Sequence, residues 1–126
     1  MEANVISAQV INAAITVHRE LGPGLLESVY QSCLLMELKC QGVQVEAERA
    51  VPVRYRNHIV HTEGLRLDLL VENEVIVELK SVEKVKPVHF KQLLTYLRLT
   101  GKSLGLLINF NEILLKDGIR RVVNHF

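Results

Sequence analysis

The sequence predicts an α/β fold, an α+β arrangement around a mixed sheet, on three observations. Apolar residues recur at helical spacing as far as Gln41. The period changes from 3.6 to 2 after Gly42. A second helical stretch, opening at Pro87, separates the alternating region from an apolar strand at 103–110. A helix between two strands is the connection that a parallel pair requires. "LGLLINF" is therefore expected to lie parallel to "VIVELKS" across a right-handed crossover. The order reads ααββββαβ with a terminal hairpin.

Ile6, Val10, Ala13, Ala14, Val17 and Leu21 place an amphipathic helix over residues 4–21, and "GPG" at 22–24 ends it. A second helix, with Leu26, Val29, Tyr30, Cys33 and Met36 as its apolar positions, is expected to run to about Gln41 and stop at Gly42. "VEAERAVPVRYR" and "IVHTEGLRLDLLV", joined by "NH", read as strands, and "NE" at 73–74 turns into "VIVELKS", giving three or four antiparallel strands. Pro87 then opens a helix to about Thr100, with Phe90, Leu93, Leu94 and Leu97 as its buried stripe and Gly101 past its end. The tail "ILLKDGIRRVV" reads as two short strands around Asp117-Gly118, a type I′ turn pair.

A chain of 126 residues, 48% hydrophobic and 23% charged, is expected to form one domain over 1–126 with a real core. No run approaches the roughly 18 apolar residues of a membrane span. "MEANVISAQV" lacks the basic and apolar regions of a signal peptide, so a cytoplasmic protein with no membrane partner is expected. Cys33 and Cys40 lie seven apart on one helix, about 10.5 Å at 1.5 Å per residue, too far for a disulfide with each other. No CxxC and no histidine pair at helical spacing suggests zinc, and His58 and His61 read as solvated turn residues. The net charge of +1 neither demands nor excludes nucleic acid.

The chemistry sits at the end of the most apolar strand. Strand alternation puts Ile76, Glu78 and Lys80 on one face and Val75, Val77 and Leu79 on the other. On the preceding strand Arg66, Asp68 and Leu70 share a face, and the short turn between the strands brings Asp68 near Glu78 on the same side. Withdrawing such charges from water costs several kcal/mol per ion unless they are paired or hold a metal. Two readings stand side by side. Paired carboxylates with a neighbouring ammonium suit Mg²⁺, with its hard oxygen ligands and retained waters. The same residues also suit a structural ion pair of Lys80 with Glu78 or Asp68. Glu27 fits the helix dipole as a first-turn acid. His89, Gln92 and Tyr96 share one helix face beside the apolar stripe, where a solvated flank is the ordinary explanation.

Taken together, Asp68, then Glu78-Leu79-Lys80, then Gln92-x-x-x-Tyr96, with an upstream Glu27 on a helix, resemble the PD-(D/E)XK nuclease superfamily in its RecB-like variety. Within it the chain is similar to the GxxExxY family, because "GLLESVY" supplies Gly24, Glu27 and Tyr30 in that spacing. The resemblance covers nearly the whole chain and implies a restriction-endonuclease-like αβββαβ core, here with an extra N-terminal helix and a C-terminal β-hairpin. It implies Mg²⁺ (or Mn²⁺) held by Asp68, Glu78 and the backbone carbonyl of Leu79, with Glu27 acting through bound water. Lys80 would orient or help deprotonate the attacking water, and Gln92 with Tyr96 would steady the site or the scissile phosphate. Leu67 stands where the superfamily's name expects proline, which removes an identifying mark but no chemistry.

The implied activity is hydrolysis of phosphodiester bonds in DNA (or RNA). The alternative is a non-catalytic nucleic-acid- or protein-binding module on the same scaffold, and a purely structural ion network is a third reading. Lys84, Lys86, Lys91 and Arg98, with Arg54 and Arg56 at the first hairpin, are candidates for phosphate contact or else scattered surface charge. So small a core leaves room for a homodimer or a partner protein to supply specificity.

Overall fold

The structure, a computed structural model, describes residues 2–125. Helices α1 (Ala3–Leu21) and α2 (Glu27–Cys40) precede strands β1 (Val45–Tyr55), β2 (His58–Val71) and β3 (Val75–Lys80). Helix α3 (Pro87–Thr100), strand β4 (Leu104–Asn109), a 3-10 turn (Leu115–Gly118) and strand β5 (Ile119–Val123) follow. The strands form one sheet in the order β1-β2-β3-β4-β5, and β3 with β4 is its parallel pair. The crossover through α3 thus joins the two strands that the sequence order pairs. Three strands precede α3. No helix among the described residues is long and apolar enough to cross a membrane.

The sheet is buried on both faces, which explains why its central strands read as nearly continuous apolar runs. Val75, Val77 and Leu79 of β3 pack with Ile6, Val10 and Val17 of α1 and Leu34 and Leu38 of α2. Ile76 of β3 packs on the other face with Leu93 and Leu97 of α3. The alternation expected for "VIVELK" is therefore present, and it directs Glu78 and Lys80 toward α3.

Two expectations are corrected. The buried stripe of α2 is Tyr30, Leu34 and Leu38, whereas Leu26 and Met36 are 73% and 60% exposed. Rows of residues four apart were available on either side of that helix, and Tyr30 selects the inner one by stacking on Phe110 with centroids 4.5 Å apart. The tail is not a hairpin of its own. Leu115–Gly118 is a 3-10 turn and Ile119–Val123 pairs antiparallel with β4. Gly118 lies against the Asn109 carbonyl with no room for a Cβ, and Leu115 is buried beneath α1, so this segment folds back as a plug.

β1 and β2 pair out to Tyr55 and His58, while β3 pairs with β2 over Leu69–Val71. The ribbon changes face where it leaves the sheet. Leu69 belongs to the α1/α2 core and Leu67 to the α3 core, and Glu48 on β1 has φ +53°. This twist removes Arg66 from the line of Asp68 and Leu70 expected from simple alternation, and it leaves Asp68 at the elbow.

Helix α3 approaches β4 at Gly105, where an added Cβ would lie 2.8 Å from Leu93 Cδ1. Gly105→Val is expected to destabilise the fold by about 1–3 kcal/mol through overpacking, measured by urea unfolding. An unchanged midpoint would mean that Leu93 does not fix the height of α3.

Candidate active site

Four elements converge at the C-terminal end of β3. Asp68 comes from the elbow of β2, Glu78 and Lys80 from β3, Tyr96 and Gln92 from α3, and Glu27 from the first turn of α2. Asp68 and Glu78 face each other where regular pairing of β2 with β3 gives out. Side chains take over from the ladder there: Leu79 N–H donates to Asp68 Oδ2 at 2.8 Å and Asp68 N–H donates to Glu78 Oε1 at 3.4 Å. Each carboxylate is thereby oriented by the backbone of the opposite strand.

The electrostatics of this pair are unbalanced. Glu78 is 8% exposed. Burial pushes its carboxyl up to about 9 from an ordinary 4.5, the Asp68 charge and side-chain hydrogen bond push the same way, and the Asp68 backbone N–H and the Lys80 ammonium offset only part. Among the described residues the one ion pair is Arg49 with Glu46, on the exposed face of β1. Lys80 makes no salt bridge to Glu78 or Asp68, although its charge acts on the Glu78 carboxyl. Tyr96 stands beside them: burial raises its hydroxyl above the ordinary value, with the Glu78 and Asp68 charges contributing.

Lys80, Gln92, His89 and Lys91 line one open groove of about 540 Å³. His89 is committed to the start of α3, where its Nδ1 accepts from Lys86 N–H at 3.1 Å. Lys91 and Arg98 lie seven apart on α3 and both are exposed, as are Lys84 and Lys86 in the segment leading to it. Glu27 reaches the end of β3 from the opposite side of the sheet, its Oε1 accepting from Ser81 N–H at 3.3 Å. Among the described residues no three His, Cys, Asp or Glu side chains cluster as a metal cage, so Glu27 stands apart from the other two acids. Two carboxylates with open positions fit a hard, hydrated divalent cation, which commonly takes only one or two protein carboxylates.

Sequence reasoning missed the parts that hold the end of β3 in place. Asn109 is fully buried; its Oδ1 accepts from Val82 N–H at 3.1 Å and its Nδ2 donates to Val82 O at 2.9 Å. Phe110 N–H donates to Lys80 O at 2.9 Å. Tyr30 is likewise structural: its hydroxyl donates to Gly22 O at 2.6 Å and accepts from Leu25 N–H at 3.1 Å, tying down the "GPG" loop. Leu25 O in turn accepts from Ser81 Oγ at 2.5 Å. The signal available was one amide, Asn109, at the end of an otherwise apolar strand.

The raised Glu78 carboxyl has a definite effect on stability. Below about pH 4.5 the group is protonated both folded and unfolded; between 4.5 and about 9 the folded chain holds a proton that the unfolded chain has released. Stability of the metal-free protein is therefore expected to fall as pH rises through that window. Glu78→Gln should lack this loss and gain on wild type by up to about 1.4 kcal/mol per pH unit, read from urea midpoints in chelator at several pH values. A gap that narrows toward alkaline pH would refute the burial account.

The sequence matches the description of the PD-(D/E)XK nuclease superfamily over residues 4–122. No curated protein and no solved structure matches the chain. The five-stranded mixed sheet with its three helices agrees with the restriction-endonuclease-like fold of that superfamily. Because the match reaches from α1 into β5 and takes in every residue of the site above, the chain belongs to the PD-(D/E)XK nuclease superfamily.

Proposed function

We propose that the protein is a divalent-metal-dependent nuclease that hydrolyses phosphodiester bonds of DNA or RNA, with Asp68, Glu78 and Lys80 as its chemical centre. One observation carries the reading. Glu78 is buried against Asp68 without a cationic partner, while Lys80, on the same strand face, remains unpaired. A structural network neutralises its charges internally, whereas a site for an external cation leaves two acids waiting for one.

Asp68, Glu78 and the carbonyl of Leu79 would hold Mg²⁺ or Mn²⁺, with Glu27 adding a carboxylate through water. Such an ion, when bound, neutralises charge on a phosphate and makes hydroxide available near neutral pH. The chain's own residues do the rest. Lys80 sits on the groove side and would orient the attacking water or take up its charge. Gln92 borders the same groove and would contact the scissile phosphate. Tyr96, with its hydroxyl kept protonated, is suited to donate a hydrogen bond there. Lys84, Lys86, Lys91 and Arg98 provide exposed cations beside and along α3 for flanking phosphates.

"GLLESVY" supports a narrower placement, in the GxxExxY group. Gly24 takes φ +96°, Tyr30 locks the loop that Gly24 turns, and Glu27 is delivered to the end of β3. The spacing thus links a turn, a strut and an acid in one short stretch.

Lys80→Ala is expected to lower metal-dependent cleavage by about 10²–10⁴-fold while leaving intact the rise in melting temperature on adding Mn²⁺. Asp68→Asn should abolish both the cleavage and the rise. Labelled double-stranded DNA, single-stranded DNA and RNA would serve as substrates, with all proteins purified identically. Equal cutting by wild type and Lys80→Ala would show that the assigned centre is wrong.

A further inference from the structure

We infer that the cavity between the β1–β2 ribbon and the C-terminal half of α3 is a subsite for one unstacked nucleotide of the substrate strand, which makes an unpaired strand the preferred substrate. The inference deepens the nuclease reading and rests on it for the reaction at the neighbouring carboxylates.

None of the roles assigned above uses this cavity. It measures about 280 Å³, and Leu67 and Leu70, one residue before Asp68 and two after it, are among its walls. It therefore adjoins the elbow that carries the carboxylate. Helix α3 makes the same connection from the other side. Gln92, Tyr96 and Leu99 stand at i, i+4 and i+7, one flank of the helix. Gln92 borders the groove at Lys80, and Leu99 lines the cavity. Leu99 lies about 10.5 Å beyond Gln92 at 1.5 Å per residue. A strand that reaches the carboxylates at Gln92 and continues along this flank passes the cavity within about three nucleotides, at 3.4 Å or more for each.

The lining suits a nucleotide, which joins an apolar-faced base to a charged phosphate. Pro52, Leu67, Leu70 and Leu99 supply aliphatic surface, and Leu99 is left 42% exposed. Arg54 and Lys102 supply cations, and no acid is among the lining residues. Arg49 also lines the cavity but is spent on Glu46. Asn73 adds an amide, a group that can both donate and accept. A guanidinium such as that of Arg54 also offers a plane on which an unpaired base stacks.

Charge along the chain points the same way. Residues 84–111, which contain α3, hold five of the fifteen Lys and Arg and none of the fourteen Asp and Glu. This stretch carries +5 and the rest of the chain −4, so the near-neutral total conceals a polar molecule. A phosphate chain is drawn to α3 and away from most of the remaining surface. Seating a base in the cavity selects among nucleic acids. A base must leave its stack to enter, which costs a few kcal/mol in a duplex and least in a strand that is already single.

The chain has no tryptophan, so Leu99→Trp sets one fluorophore at the cavity, with Met36→Trp, on the exposed side of α2, as control. Both are made in Lys80→Ala so that the strand is not consumed. Single strands of about 12 thymidines or uridines, within the usual span of a strand-binding site, should quench Leu99→Trp saturably and leave Met36→Trp unchanged. Blunt duplexes of the same length should quench it less at equal saturation. Without either tryptophan, the Lys80→Ala protein also carrying Arg54→Ala and Lys102→Ala should bind the single strands about tenfold more weakly in fluorescence anisotropy. Its salt slope should be smaller by about 1.4, or 0.7 per cation. No quenching by strands that anisotropy shows to be bound would overturn the subsite, as would equal affinity and slope in the cation variant, which decides alone if Leu99→Trp fails to fold. Quenching by thymidine monophosphate but not by the strands would make the cavity a free-nucleotide site and overturn it too. Equal quenching by duplexes would overturn the preference for unpaired strands. If wild type and its Arg54→Ala/Lys102→Ala form bind and cut single strands equally, the subsite falls and the nuclease stands. Quenching at Leu99→Trp without metal-dependent cutting by wild type keeps the subsite and overturns the nuclease.

Discussion

Much of this molecule is arranged around one unfavourable contact, the approach of Asp68 to a buried Glu78. Two carboxylates at a strand junction, without a cation between them, cost several kcal/mol if both are charged. The protein meets that cost by keeping Glu78 protonated up to about pH 9 and by giving each carboxylate a backbone N–H from the facing strand. The rest of the site keeps the two acids from moving apart. Asn109 and Phe110 tether the chain just after Lys80, and Glu27 and Leu25 hold Ser81 from the other side of the sheet. Without those tethers the end of β3 would relax into water and Glu78 with it.

The twist at Glu48 and Asp68 belongs to the same arrangement. A regular ladder through Asp68 would place both its neighbours on one face, with Leu67 beside Leu69 under α1 and α2. Leu67 instead joins the α3 core. That change of face frees Asp68 from ladder pairing, so its carboxylate can accept from Leu79 N–H, and it sends the ribbon out over the α3 side. The irregularity that orients a carboxylate is thus also the point at which the ribbon leaves the sheet.

The sheet and its order were legible because a sheet covered on both faces leaves a plain record: apolar runs at "VIVEL" and "LGLLINF" with a helix between them. The face shared by Glu78 and Lys80 was legible for the same reason, since alternation over six residues allows one answer. The inner stripe of α2 was not, because Leu26 and Met36 are as apolar as Leu34 and Leu38 and only stacking of Tyr30 on Phe110 decides between them. The tail was misread through Asp117-Gly118. That pair suits a tight turn, yet the glycine is required by the Asn109 carbonyl pressed against it, a long-range contact with no local signature. Asn109 and the elbow at Asp68 were silent for a related reason: both depend on which strands become neighbours.

Position along β3 settles what each residue on the α3 face can do. Ile76 is fully buried under Leu93 and Leu97, Glu78 is 8% exposed, and Lys80 is half-buried at the groove. Same-face steps along a strand are about 6.6 Å, so the strand passes from core to solvent in two of them. A carboxylate at the Ile76 position would be sealed from any cation. One at the Lys80 position would be solvated, with little tendency to hold its proton or to bind a metal tightly. The Glu78 position alone is dry enough to make the charge costly and near enough to the groove for a cation to relieve it, and that combination lets the apolar strand build the site as well as the core.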